Sequence, residues 1–191
     1  MTLMLDILHS PEIFGNSVIK TYRVKALDSS LVEGIEEQGP TYKIGAKELY
    51  KIEKDMAIIV PTCNERIKLL EGVIAGIPNN CTTIVVSSSK REEVDRYDME
   101  RINLKETYKS TGKEILMVHQ KDPYIGKAFQ EGGYNEILEG DLVKDGKAEG
   151  MIIGLLIAKI REKKYVGFVD SDNYVPTSVL EYVKDYAAGL I

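Results

Sequence analysis

The sequence predicts an α/β domain in which helices cover both faces of a mostly parallel sheet. Short apolar runs rich in β-branched residues recur at Met56–Val60, Thr82–Val86, Glu114–Val118 and Tyr165–Val169, and helical patterns at 64–76, 90–110, 124–138 and 147–163 separate them. Each run is apolar on both faces, as a strand buried between two helical layers must be. No internal repeat or low-complexity linker breaks the 191 residues, so 1–191 read as one domain.

The elements follow in chain order. Residues 17–26 alternate loosely and read as an early strand, whereas 28–55 are mixed and charged and carry no clear pattern. From Met56 the strand–helix alternation is regular. The most apolar run, Met151–Ile160, is too short to span a bilayer and leads into Arg161, Lys163 and Lys164. It reads as a buried helix, with Gly150 and Gly154 permitting close packing. Pro176 opens the last helix, to Leu190, because its fixed φ and missing N–H suit a first turn.

Composition narrows the classes. With 43% hydrophobic and 29% charged residues the chain is of ordinary globular type. A net charge of −5 and a pI near 5.2 weigh against a nucleic-acid binder that neutralises phosphates with a basic face. Met1–Ser10 lacks the basic and long apolar segments of a signal peptide, and no run is long enough for a membrane partner. Cys63 and Cys81 have no ligand-spaced partners, and free thiols suit a reducing cytoplasmic setting.

In an open α/β sheet, ligands gather beyond the carboxyl ends of the strands. Those ends are Pro61–Glu65, Ser87–Ser89, His119–Asp122 and Asp170–Asn173, all polar. In Tyr165–Asn173 an apolar strand runs into Asp170 and Asp172. In extended chain the two side chains share one face, roughly 6–7 Å apart. Such a pair repels unless water or a cation intervenes, and Mg²⁺ or Mn²⁺ with phosphate oxygens satisfies it. A solvated Asp-Ser-Asp turn is the plain alternative. Thr62 and Glu65 have the spacing of a helix capping box, and the same loop can surround a nucleotide. Ser89 can cap the next helix, or the three serines can meet a ribose or phosphate. Lys147 stands at a predicted helix N-terminus, where a bound anion offsets an otherwise unfavourable charge; the alternative is a lysine swung into water. His9 and His119 lack metal-ligand spacing, and His119 reads as structural. No catalytic triad, Walker loop or G-x-G-x-x-G fingerprint appears, and no catalytic base or nucleophile is assigned.

VPTCNE (60–65), VVSSS (85–89), VHQKDP (118–123), GKAEGM (146–151) and KKYVGFVDSDNYVP (163–176) together resemble, in order and spacing, the mannosyl-3-phosphoglycerate synthases, retaining glycosyltransferases of GT-A fold. Glu12-Ile13-Phe14-Gly15 echoes a further family stretch. The resemblance implies transfer of mannose from GDP-mannose to 3-phosphoglycerate, on the route to the compatible solute mannosylglycerate, with Mg²⁺ or Mn²⁺. It implies that Pro61, Thr62, Cys63 and Glu65 line a guanosine pocket, with Ser87 and Ser89 facing ribose or base and Gln120 and Lys121 nearby. Lys147 would meet the diphosphate or sugar, Asp170 and Ser171 would stand beside the donor, and Asp170 and Asp172 would hold the ion. Relatives read GKGEGM where this chain has Ala148, a methyl tolerated if φ is negative. The family pattern continues past Ile191, to a histidine completing the metal site and to most of the acceptor pocket, so the chain reads as truncated or split. Two alternatives are a sugar-phosphate nucleotidyltransferase, whose Gly-rich loop VPTCNE does not match, and an inactive nucleotide-sugar-binding fragment. A homo-oligomer stays open.

Overall fold

A computed structural model describes residues 2–3, 12–14, 17–19, 27–28, 44–173 and 175–191. Short antiparallel ribbons come first: β1 (Thr2–Leu3) pairs with β4 (Leu27–Asp28), and β2 (Glu12–Phe14) with β3 (Ser17–Ile19). The strand expected over 17–26 is realised at Ser17–Ile19, and its remainder lies outside the described residues. The featureless stretch 28–55 yields a helix, α1 (Ala46–Lys54), whose Leu49 and Ile52 pack on the core while Lys47, Glu48, Lys51 and Lys54 face outward. Its last turn buries Glu53, which accepts from Asn80 Nδ2 at 3.0 Å and pairs with Lys184.

The β-branched runs form a four-stranded parallel sheet: β5 (Met56–Thr62), β6 (Thr82–Ser87), β7 (Ile115–His119) and, after the small hairpin β8 (Leu138–Glu139) and β9 (Leu142–Val143), β10 (Tyr165–Phe168). The order is β10-β5-β6-β7, with Ile58 opposite Gly167, Ile59 opposite Ile84 and Val85 opposite Met117. Alternation along β5 explains why the sheet needs two helical layers. Met56, Ile58 and Val60 enter one core with α2 (Ile67–Gly76) and α6 (Pro176–Gly189), and Ala57 and Ile59 enter a second with α4 (Pro123–Glu131) and α5 (Lys147–Ile160). Glycines set two contacts. A methyl at Gly154 would lie 2.5 Å from Ile59 Cγ2, so α5 rests directly on β5; one at Gly76 would lie 2.3 Å from the Pro176 carbonyl oxygen, where α2 meets α6.

Helix boundaries depart from the sequence pattern for local reasons. α2 starts at Ile67, because Thr62 is committed to the β5 ladder and Asn64 takes a left-handed φ of 56°. The expected Thr62–Glu65 capping box is therefore not formed. α3 (Arg96–Tyr108) starts at Arg96, capped by Asp95, which accepts from the Asp98 amide at 2.8 Å; Ser89 does not cap it. α4 ends at Glu131 ahead of Gly132 and Gly133, the latter with a φ of 80°. α5 buries Gly150, Ile153, Gly154 and Ala158 but leaves Ile152, Leu155 and Ile160 exposed, since it covers only one face of the sheet. Among the described residues no helix is long and apolar enough to cross a membrane.

The buried Lys113 donates to the carbonyls of Ile74 at 2.6 Å and Ile77 at 2.5 Å, placing a cation at the negative end of α2. Burial pushes its pKa down to about 8. Above that value the unfolded chain keeps a proton that the folded chain sheds, so stability owed to this residue rises with pH up to the ordinary lysine range. Urea titrations are expected to show the unfolding free energy of wild type minus that of Lys113→Met increasing from about pH 8 upward; a flat or falling difference contradicts it. Gly76→Ala, whose methyl meets backbone, is expected to cost about 1–3 kcal/mol in the same assay.

Candidate functional site

Because β5, β6, β7 and β10 are parallel, their carboxyl ends open on one side, and backbone bonds continue the pairing past the strands. The Ser88 amide donates to Thr62 O at 2.9 Å, and the Gln120 amide to Ser87 O at 2.7 Å. The Val169 amide donates to Ile59 O at 3.0 Å. Beyond them the chain turns: Asn173 N donates to Asp170 O at 3.3 Å. Asp170 therefore opens a turn and Asp172 lies within it, in place of the extended segment that their spacing suggested.

One wall of the crevice is organised from beneath by Glu100 of α3, which is fully buried. Ser87 Oγ donates to its Oε2 at 2.8 Å and Ser89 Oγ to its Oε1 at 2.7 Å; Arg96 Nε lies 3.7 Å away. The same serine oxygens accept in turn, Ser87 from the Ser89 amide at 3.2 Å and Ser89 from the Asn64 amide at 2.7 Å. Asn64 Oδ1 then accepts from the Lys90 amide at 3.0 Å, and Arg96 donates to the Glu65 carbonyl. His119 joins from β7. Its Nδ1 accepts from the Lys121 amide at 3.1 Å, so Nε2 carries the proton and donates to Ser89 O at 2.9 Å. A Tyr97 ring meets its imidazole edge-on at 5.0 Å. The histidine is structural, as its sequence context suggested.

The opposite wall is built on ion pairs. Lys147, the first residue of α5, places Nζ 2.5 Å from Asp170 Oδ1, both side chains more than half exposed. The anion that a lysine at a helix N-terminus calls for is thus a carboxylate of this chain. Lys121 pairs with Asp145 at 3.1 Å. Between the two pairs, buried Gln120 donates from Nε2 to Lys144 O at 2.7 Å and Gly146 O at 3.0 Å, fixing the approach to α5. Gly146 has a φ of 150° and ψ of 152°, a conformation open in practice to glycine alone. Ala148 lies exposed within the helical first turn, where φ is negative, so its methyl is accommodated.

These walls enclose a cavity of about 600 Å³, within the range that holds small-molecule ligands. Of the sequence-derived candidates, Pro61, Thr62, Cys63, Glu65, Gln120, Lys147, Asp170, Ser171 and Asp172 line it. Ser87, Ser89 and Lys121 are not among its lining: the serines turn to Glu100 and the lysine to Asp145. Thr62 Oγ1, in a residue only 4% exposed, has no hydrogen-bond partner among the described residues, which leaves a buried hydroxyl for a ligand. Sequence reasoning missed Asn64, Ser88 and Gly146 as lining residues, although each sits inside a segment it singled out, and it missed Lys90, which follows the serine run. It missed Glu100 altogether.

As a cation site the arrangement is sparse. Among the described residues no cluster of three Asp, Glu, His or Cys side chains forms. The hard oxygens of Asp170 and Asp172 on one cavity suit Mg²⁺ or Mn²⁺ chemically, but only with further oxygens from a ligand.

A parallel sheet between two helical layers, with a polar crevice across its strand ends and an Asp-x-Asp turn at one side, is a GT-A-like α/β fold. The chain belongs to the mannosyl-3-phosphoglycerate synthase family, whose sequence profile matches residues 9–191. It is 45% identical over 184 residues to a mannosyl-3-phosphoglycerate synthase of Pyrococcus furiosus, covering 94% of this chain and 46% of that protein. It is 33% identical over 191 residues to one of Aeropyrum pernix, covering 98% of this chain and 48% of that protein. The chain therefore spans about half the length of the curated relatives it matches.

Glu100→Ala leaves two buried serine hydroxyls without their acceptor and is expected to cost about 2–3 kcal/mol. Hydrogen exchange at the Asn64 and Lys90 amides, which hang on the same chain of bonds, should accelerate with it. Unchanged exchange at both would show that Glu100 does not hold the wall.

Proposed function

We propose that this chain forms the nucleotide-sugar half of an enzyme that transfers mannose from GDP-mannose to 3-phosphoglycerate with retention, in the cytoplasm. The observation that carries this reading is the cavity itself, where the ammonium at the start of α5 and the two carboxylates after β10 face one space large enough for a nucleotide sugar. Family membership supports a nucleotide-sugar donor and a phosphoglycerate acceptor. Pro61, the orphan hydroxyl of Thr62, Cys63 and Glu65 would receive base and ribose. Gln120 and Ser171 would border the donor, and Lys147 would neutralise phosphate. Ser87, Ser89 and Lys121 would act by holding the loops that do so. Asp170 and Asp172 would hold Mg²⁺ or Mn²⁺, which offsets charge on a departing diphosphate. In the transfer the bond from the anomeric carbon to phosphate breaks, GDP leaves with its electron pair, and the acceptor hydroxyl oxygen takes its place with loss of its proton.

A second reading, a nucleotide-sugar-binding unit that does not complete transfer alone, draws on the coverage of only 46–48% of the relatives. Binding separates neither reading from the other, but transfer assayed with the isolated chain does.

Two carboxylates are too few to retain the ion by themselves, so metal and nucleotide should tighten one another by the same factor, about tenfold or more. Calorimetric titration of GDP with Mn²⁺ and with EDTA tests this, and Asp172→Asn should remove most of the difference. GDP binding that ignores EDTA would make the carboxylate pair a solvated turn. Equal affinity for UDP-glucose would sink the donor assignment.

A further inference from the structure

The Lys147–Asp170 contact has a meaning for the order of binding, and it rests on the reading of the cavity as a site for a diphosphate and a divalent ion. Asp170 Oδ1 is held by Lys147 Nζ at 2.5 Å, so the oxygen that an ion needs already carries a cation. An ammonium and a divalent ion cannot share that oxygen at contact distance without strong repulsion, unless an anion intervenes. The side chains are 60% and 57% exposed, so the contact is weak and exchangeable. The backbone beneath it is not: Gln120 clamps Lys144 O and Gly146 O, and α5 is seated on Ile59 through Gly154. Only the lysine side chain has to move. Lys121 pairs with Asp145 at 3.1 Å and does not line the cavity.

A diphosphate resolves the competition from both sides. Its oxygens accept the ammonium at the N-terminus of α5, where an anion is favoured, and they supply the ligands that two aspartates lack. We propose that Lys147 is the resident counter-cation of Asp170: it keeps a divalent ion off the carboxylate in the empty site and passes to the diphosphate when nucleotide arrives, so that metal and nucleotide enter together. Lys147 is then a positioning residue with two exclusive partners, and removing it has opposite effects on its two ligands.

The test uses Mn²⁺ alone, with free ion counted by electron paramagnetic resonance in wild type, Lys147→Gln and Lys147→Arg. Lys147→Gln should bind Mn²⁺ alone about two- to fivefold more tightly than wild type, the worth of an exposed pair, while Lys147→Arg keeps the weak wild-type value. In the same Lys147→Gln protein, GDP should bind more weakly than in wild type, and its Mn²⁺ dependence should fall by about the same two- to fivefold. Equal or weaker Mn²⁺ binding by Lys147→Gln, or none detectable in either protein, overturns the exchange. If wild type still shows mutual tightening of GDP and Mn²⁺ in that case, only the exchange has failed. If wild type shows none, the metal–diphosphate reading of the cavity has failed instead.

Discussion

A carboxylate shut off from water has to be satisfied from inside, and Glu100 is satisfied by the end of a strand. An unpaired buried charge would cost several kcal/mol, so both serine hydroxyls are drawn down to it and the guanidinium of Arg96 stays close. Once those hydroxyls donate downward, their oxygens are free to accept sideways, and the amides of Ser89 and Asn64 are caught. The loops after β5, β6 and β7 consequently share one hydrogen-bonded support, and neither the left-handed Asn64 nor the imidazole of His119 moves alone. Preorganisation of this wall is a by-product of solving a burial problem in α3.

The two walls differ in kind. Around Glu100 the serine hydroxyls are buried and both donate and accept hydrogen bonds, which ties that side together. Around α5 the charges are exposed and paired at the rim, where each pair is worth little and exchanges readily. The crevice combines a buried hydrogen-bonded frame with a set of exposed ion pairs. The exposed side is where a ligand that brings its own charge must be neutralised.

The strands were legible because parallel strands buried on both faces write continuous β-branched runs, and each of the four predicted runs appears in the sheet. Their ends were less so. Thr62 and Glu65 have capping-box spacing, but Thr62 lies opposite Ser87 in the β5–β6 ladder, and a tertiary partner outbid a local one. Ser89 lost its capping role to Asp95 for the same reason, its hydroxyl being spent on Glu100. For Lys147 the sequence suggested a bound anion, whereas the structure sets the carboxylate of Asp170 beside it, which the sequence could not signal, since nothing local links residues 23 positions apart. Glu100 was hidden because α3 is densely charged, and one buried glutamate among exposed ones leaves no periodic trace.

Ala148 follows Lys147 in the first turn of α5, at the lip of the crevice. Glycine at that position would leave the turn free to fray, because its backbone loses the most entropy on becoming helical, about 1 kcal/mol relative to alanine. An alanine there prepays that ordering. That favours an ordered helix tip, whereas Gly146, two residues earlier, takes a backbone conformation that glycine alone adopts readily as the chain enters the helix. Within three residues the chain thus sets a glycine-only backbone conformation beside a helix-favouring alanine.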